Sequence, residues 1–303
     1  MPHIPYLGEA VSLLTAVCWS TNAVLFARAG QRVGSPTVNV ARLGFAFGAM
    51  LLLHGALYGS PFPFDAGPVR LAWLAASGLI GFSLGDALLF EALVLLGPRL
   101  AMLIMTLWPV FAAVMAWAFL GQTMTLPKVL AMLATLGGIA LVVAERGGNQ
   151  VDSDKPRRFG LGVLLALGGA LGQAVGFIFS KFGMAGGLSP ISANVVRVTA
   201  GLLALGTWQA LKGELAPNLR RLSDRRAAWF IAVGAVFGPV VGVVLSLFAI
   251  EHATYLGVAS TLMSLSPVIL LPVSVVLDKE RVSLRAVAGT LVSIGGATAL
   301  FLL

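Results

Sequence analysis

Ten stretches of about twenty mostly apolar residues run through this chain, and they leave it one kind of solvent to fold in. An α-helix needs roughly 20 apolar residues to cross the hydrocarbon core of a bilayer. Stretches of that length cover 9–28, 36–57, 71–96, 100–120, 128–144, 160–180, 189–211, 228–250, 256–277 and 284–302. Only 11% of the 303 residues are charged and 58% are hydrophobic, against about 25% and about 45–50% in soluble domains. So few charges could not cover a water-facing surface. The predicted fold class is therefore all-α integral membrane, with ten transmembrane helices. Breaks between the stretches carry turn formers, as in Gly34-Ser35-Pro36, Ser60-Pro61-Phe62-Pro63, Gly97-Pro98-Arg99 and Gly187-Leu188-Ser189-Pro190. Pro109, Pro239, Pro267 and Pro272 fall inside spans and predict kinks or breaks, tolerated where neighbours satisfy the freed carbonyls. The first eight residues carry no Lys or Arg, so the first helix is expected to be retained rather than removed as a secretory leader.

The chain reads as two similar halves. Arg28 matches Lys181, Pro36 matches Pro190, Asn39 and Arg42 match Asn194 and Arg197, and Trp73 matches Trp229. Gly85 then matches Gly242, Pro109 matches Pro267, and Gly137-Gly138 match Gly295-Gly296, the offset climbing from 153 to 158 without ever falling. Small loop insertions produce that staircase. Residues 1–145 are thus read as a first five-helix repeat, 146–159 as a polar linker and 160–303 as a second repeat. Five is odd, so the second repeat is predicted to enter the membrane inverted, an arrangement from which many secondary transporters are built around a central cavity. Loops after odd-numbered spans hold fifteen Lys and Arg, and loops on the other side hold Arg70, Lys128 and Lys181. That asymmetry places the odd loops in the cytoplasm and both termini outside. It also accounts for the net charge of +8 without a nucleic-acid partner. Cys18 is the one cysteine, which rules out an intrachain disulfide.

These residues resemble the drug/metabolite transporter superfamily, and within it the ten-helix EamA-type exporters. Trp19-Ser20-Thr21-Asn22 is similar to the family's Trp-Gly-x-Asn opening, with Ser20 in place of the usual Gly. Pro36 followed by Arg42 resembles the start of its second helix. Leu107-Trp108-Pro109-Val110-Phe111 and Leu265-Ser266-Pro267-Val268 resemble its fourth and ninth, and Asp278-Lys279-Glu280-Arg281-Val282-Ser283 its acidic turn before the last. Gln122 stands where the first half would carry the matching acid. The resemblance implies EamA-like repeats and alternating access around a cavity lined by the first, third and fourth helices of each half. It also implies cytoplasmic termini, opposite to the charge count.

Among candidate site residues, Asp86 stands near the middle of the third span, where an ionised carboxylate costs about 2.5–3.5 kcal/mol on insertion scales. It is read either as a proton carrier or counter-charge for an amine, or as half of a structural pair with an arginine. Glu91 lies about 140° further round the helix and nearer its end, a second candidate for proton coupling or an interfacial residue. Trp19, Asn22, Trp108 and Gln173 are read with Asp86 as substrate-binding, through amides that bond a polar solute and indoles that shape a pocket. The alternative for the amides is interhelical bonding, worth about 0.6 kcal/mol each. Arg42 and Arg197, repeated in both halves, are read as structural charges that snorkel or brace a helix start. Glycines at 168/172/176 and 234/238/242 follow the spacing that lets helices approach closely.

Enzyme motifs fail on context. Gly81-Phe82-Ser83-Leu84-Gly85 matches a nucleophile elbow in letters, but it lies inside an apolar span rather than at a strand-to-helix turn. Glu251-His252 lacks the second His of a zinc helix, only His3, His54 and His252 occur, and no phosphate-binding loop is present. No metal and no cofactor are called for. The chain is read as a secondary, non-ATP transporter in the bacterial cytoplasmic membrane, exporting small polar metabolites such as amino acids. The alternatives are an importer or exchanger of sugars, nucleotide sugars or organic anions, favoured if both arginines face the cavity, and an integral-membrane enzyme. Its partners are a small-molecule substrate and the lipid bilayer; a homodimer seamed at Gly137-Gly138 and Gly295-Gly296 is weighed against packing within one chain.

Overall fold

The computed structural model describes residues 7–120, 125–148, 155–252, 262–277 and 282–302. Gln122, the Asp278 to Arg281 turn, His3 and the 256–261 start of the ninth predicted span lie outside them. Every regular element among the described residues is helical, as expected where no water is available to bond a bare backbone. The elements are α1 (Leu7–Val33), α2 (Ser35–Tyr58), α3 (Pro68–Leu96), α4 (Pro98–Met105), α5 (Trp108–Leu120) and α6 (Leu126–Gly148). They continue with α7 (Lys155–Met184), α8 (Pro190–Leu211), short α9 (Leu215–Arg220), α10 (Arg225–Ala235, Val236–Val240 and Val241–His252 without interruption), α11 (Ser266–Leu277) and α12 (Leu284–Leu302). Eight helical stretches among the described residues are long and apolar enough to cross a membrane, Pro98–Met115 of α4 and α5 being counted as one, with a shorter apolar stretch at Leu284–Ala299. Helix α6 ends and α7 begins inside the stretch read as linker.

Tight reversals set the order of packing. One residue, Gly34 at φ 85°, separates α1 from α2, and one residue, Gly97 at φ 80°, separates α3 from α4. Only glycine adopts that backbone without strain. Proline follows at once in the next helix's first turn, where its missing N–H costs nothing.

Four interruptions break the helices. Pro109 has no N–H to give Met105, and the chain tightens before it: Thr106 donates to the Leu103 carbonyl at 3.1 Å and Leu107 to Ile104 at 3.0 Å. The predicted 100–120 span is therefore two helices, α4 and α5. A similar turn at Ser264–Leu265 precedes Pro267. Pro239 lies in a π-turn at Val236–Val240, whereas Pro272 stays within α11. The fourth interruption, a π-turn at Leu79–Gly85 in α3, contains no proline and was not expected from the sequence. Its signal was the run of Gly78, Gly81 and Gly85. Asn39 of α2 donates to the Ser83 carbonyl in this turn at 3.4 Å, and Asn194 of α8 donates to the Pro239 carbonyl in the other at 2.7 Å.

The glycine stripes make the close contacts read from their spacing. A Cβ at Gly172 would stand 2.7 Å from the Gly85 Cα, and one at Gly176 3.1 Å from the Gly81 Cα, so α7 lies directly on the bend of α3. Gly234 and Gly238 lie under Phe26 and Asn22 of α1. Helices α6 and α12 pack together through Gly138 and Gly296, while Gly137 and Gly295 face open space. One glycine of each pair thus serves packing within the chain. Large apolar side chains such as Leu52, Leu164 and Leu203 cover the outside, with Trp73, Trp208 and Trp229 also exposed, a surface suited to lipid.

At one end of the bundle Asp224 ties three segments together. It caps α10 by accepting from the Arg226 and Ala227 amides, and pairs with Arg32 of α1 at 2.8 Å. The hydrogen bond from Arg32, then those from the backbone, hold its carboxyl below the ordinary aspartate range. A folded value below the unfolded one stabilises above the unfolded titration and is lost as pH falls through the folded one. Asp224→Asn is therefore expected to melt lower than the wild type near neutral pH, and the difference is expected to shrink as pH falls below about 4. Thermal unfolding in detergent across that range measures it.

Candidate functional site

The four interruptions converge on one cavity. The bend of α3 contributes Phe82, with Asp86 one turn on, and the bend of α10 contributes Gly238, Pro239 and then Val243. The two proline-associated turns supply Thr106, Trp108, Ser264 and Ser266. Straight helices complete the wall with Trp19 and Asn22 of α1, Gln173 and Phe177 of α7, Arg42 of α2 and Arg197 of α8. The volume is about 150 Å³, the size of an engineered cavity that takes up benzene. Its wall is mostly aromatic and aliphatic, with a few polar groups. That composition suits a solute with an apolar body and a small number of polar ends.

Electrostatics concentrate on one side. Arg42 Nη2 donates to Asp86 Oδ2 at 2.5 Å, and the two side chains are 3% and 8% exposed. The guanidinium also donates to Asn39 Oδ1 from Nε at 3.1 Å and from Nη2 at 2.9 Å, and to the Phe82 carbonyl at 3.2 Å. It stacks 4.6 Å from the Phe90 centroid. Arg197 lies 4.6 Å from the centroid of Phe82. It is buried and within coulombic reach of Asp86. No direct ion pair or hydrogen bond engages it among the described residues, and its Nε has no acceptor.

All five residues read as substrate-binding, Trp19, Asn22, Asp86, Trp108 and Gln173, line this cavity. Glu91 does not; it accepts a short hydrogen bond from the Ser35 hydroxyl at the end of α3. Arg42 and Arg197, read as structural charges, both line the cavity, and neither snorkels: they are 2% and 4% exposed. Asn39 and Asn194 were matched between the halves without a role. Their repetition was a usable signal, since a polar amide kept at the same place beside two bends answers a repeated backbone need.

Ser83, the serine of the nucleophile-elbow letters, donates to the Gly201 carbonyl at 2.8 Å and so bridges α3 to α8. His54 bridges Ser60 and Ser192 at the end of α2, and does not line the cavity. Among the described residues no three His, Cys, Asp or Glu side chains gather in a metal-holding group.

Breaking the Arg42–Asp86 pair from one side leaves a buried charge uncompensated, at about 3–5 kcal/mol, whereas removing both ends costs much less. Asp86→Ala is expected to lower thermal stability substantially, and Arg42→Met with Asp86→Ala to recover most of the loss. A double-mutant cycle by denaturation in detergent reads the coupling; additive losses would show that the pair is not coupled.

The EamA-like transporter family matches residues 6–144 and, a second time, residues 160–302. An uncharacterized transporter of Archaeoglobus fulgidus (strain ATCC 49558 / DSM 4304 / JCM 9628 / NBRC 100126 / VC-16) is 26% identical over 285 residues, covering 94% of each chain. The uncharacterized transporter YvbV of Bacillus subtilis (strain 168) is 33% identical over 73 residues, 24% of this chain and 22% of that protein. A protein of solved crystal structure superimposes with a TM-score of 0.61 over 97% of this chain and 96% of its own, at 19% identity, a likeness of fold alone.

Proposed function

Because the chain belongs to the EamA-like transporter family, we propose that it moves small polar metabolites by alternating access between two inverted five-helix repeats. That it is a multi-pass membrane transporter and not an enzyme follows from the family and from its transporter-named relatives. The repeats proposed are residues 1–145 and 160–303. Their support is the double family match, together with interruptions that recur in register: π-turns begin at Leu79 and Val236, and proline turns begin at Thr106 and Ser264. The Arg32–Asp224 pair also joins the end of α1 to the start of α10 at one face, as inversion requires.

The observation that carries the reading is the cavity itself, lined where the four interruptions meet. Broken helices around a central pocket are a recurrent way to bind solute in secondary transporters. Rocking of one repeat against the other would open it to alternate sides. Export of amino acids or related solutes from a bacterial cytoplasm remains the leading assignment. A second reading, import or exchange of sugars, nucleotide sugars or organic anions, is favoured for its anionic members by one specific fact: Arg42 and Arg197 both line the cavity.

Counterflow in proteoliposomes against amino acids, monocarboxylates and sugar phosphates, at two pH values, tests this. Exchange of at least one class is expected; no exchange of any would sink the transport cycle. If protons drive it, Asp86→Asn is expected to remove the pH dependence of flux, and unchanged pH dependence in a folded mutant removes Asp86 as carrier. The charge count sets both termini outside. Terminal tags on intact cells should then be labelled by impermeant reagents, and protection of both tags reverses the orientation.

A further inference from the structure

The two halves repeat the cation of the cavity without repeating its anion. Arg42 and Arg197 occupy matching places, each three residues after an asparagine that bonds a π-turn carbonyl. Gly85 and Gly242 match in the same way beside those turns. The residue after Gly85 is Asp86; the residue after Gly242 is Val243, and both line the cavity. Arg42 therefore closes on an acid of its own half, while Arg197 pairs with none among the described residues. Arg197 as a residue is 4% exposed, its Nε lacks an acceptor, and its guanidinium lies over the face of Phe82.

Among the described residues, two guanidinium groups and one carboxylate line this cavity, one positive charge in excess. Glu91 offers no relief, being outside the lining and bonded to Ser35. A buried charge without a partner is costly in a low dielectric, and a ligand that supplies the partner recovers that cost. The geometry points to a solute bearing a single negative charge, a monocarboxylate, whose carboxylate seats on Arg197 and stands in for the acid that Val243 does not provide. The planar fork of a guanidinium matches a carboxylate through two parallel hydrogen bonds. The body of the solute lies against the wall of Phe82, Phe177, Met102 and Trp108. A free amine on the solute would find only Asp86, already closed on Arg42. A doubly charged phosphate would overshoot neutrality. This inference rests on the transport reading of the same cavity and, in place of amino acids, narrows its substrate class to monocarboxylates that carry no amine.

The test uses the full chain in nanodiscs at pH 7 with benzoate, benzyl alcohol, benzylamine and inorganic phosphate, read by titration calorimetry. Benzoate is expected to bind at least ten-fold tighter than the alcohol or the amine, and tighter than phosphate. Arg197→Gln is expected to lose that preference. Val243→Asp puts an acid at the cavity position that matches Asp86 and leaves Arg197 intact; it is expected to lose benzoate at least ten-fold while melting no lower than wild type. Val243→Asn, of the same size without the charge, is expected to lose at least five-fold less than Val243→Asp. Should Arg197→Gln fail to fold, the pair of Val243 variants decides alone. Benzoate binding no better than benzyl alcohol, stronger phosphate binding, or full benzoate affinity in Val243→Asp each overturns the inference. Counterflow separates the two levels: exchange with no preference for the anion sinks this inference alone, and anion binding without exchange of any solute sinks the transport reading alone.

Discussion

A guanidinium and a carboxylate closed on each other inside an apolar bundle constrain the rest of this structure. Each alone would cost about 2.5–3.5 kcal/mol at the centre of a membrane on insertion scales. Together they are tolerable only if every remaining donor finds an acceptor, and that need reaches through several helices. Arg42 uses Asn39 one turn before it, the Phe82 carbonyl and the face of Phe90 besides Asp86. The Phe82 carbonyl belongs to the π-turn, where the helical bond pattern is altered. The bend in α3 and the ion pair thus support each other.

The same economy governs the backbone. Helix interruptions at membrane depth survive only where protein or a watery cavity takes over from lipid. Here both conditions hold at once. Asn39 and Asn194 satisfy one carbonyl at each π-turn, and all four interruptions open on the same chamber. Glycines of α7 let it lie directly on the bend of α3, so the weakest backbone of that helix is covered by another helix rather than by hydrocarbon.

Much of this was legible before any coordinates. Apolar runs reveal helices because lipid offers the backbone no other partner, and eight of the predicted spans reappear as long helices among the described residues. Trp19, Asn22, Asp86, Trp108 and Gln173 were found because a polar or indole side chain deep in a span has few reasons to be there apart from a cavity. Arg42 and Arg197 read as frame because an arginine near the start of a span can equally reach a headgroup; that both are buried against the chamber is visible only in the structure. The proline-free bend of α3 was missed for a related reason. Gly78, Gly81 and Gly85 were its only signal, and glycines within an apolar run read as readily as packing surface.

The single glycines at 34 and 97 have a mechanical meaning. A one-residue joint cannot stretch, so α1 with α2, and α3 with α4, are geared as tongs. Trp19 and Asn22 are carried with Arg42, and Asp86 with Thr106, so neither jaw can shift without dragging a second face of the chamber along. Slack must come from elsewhere, and the pliant candidates are the bends within α3 and α10, which sit where the jaws meet.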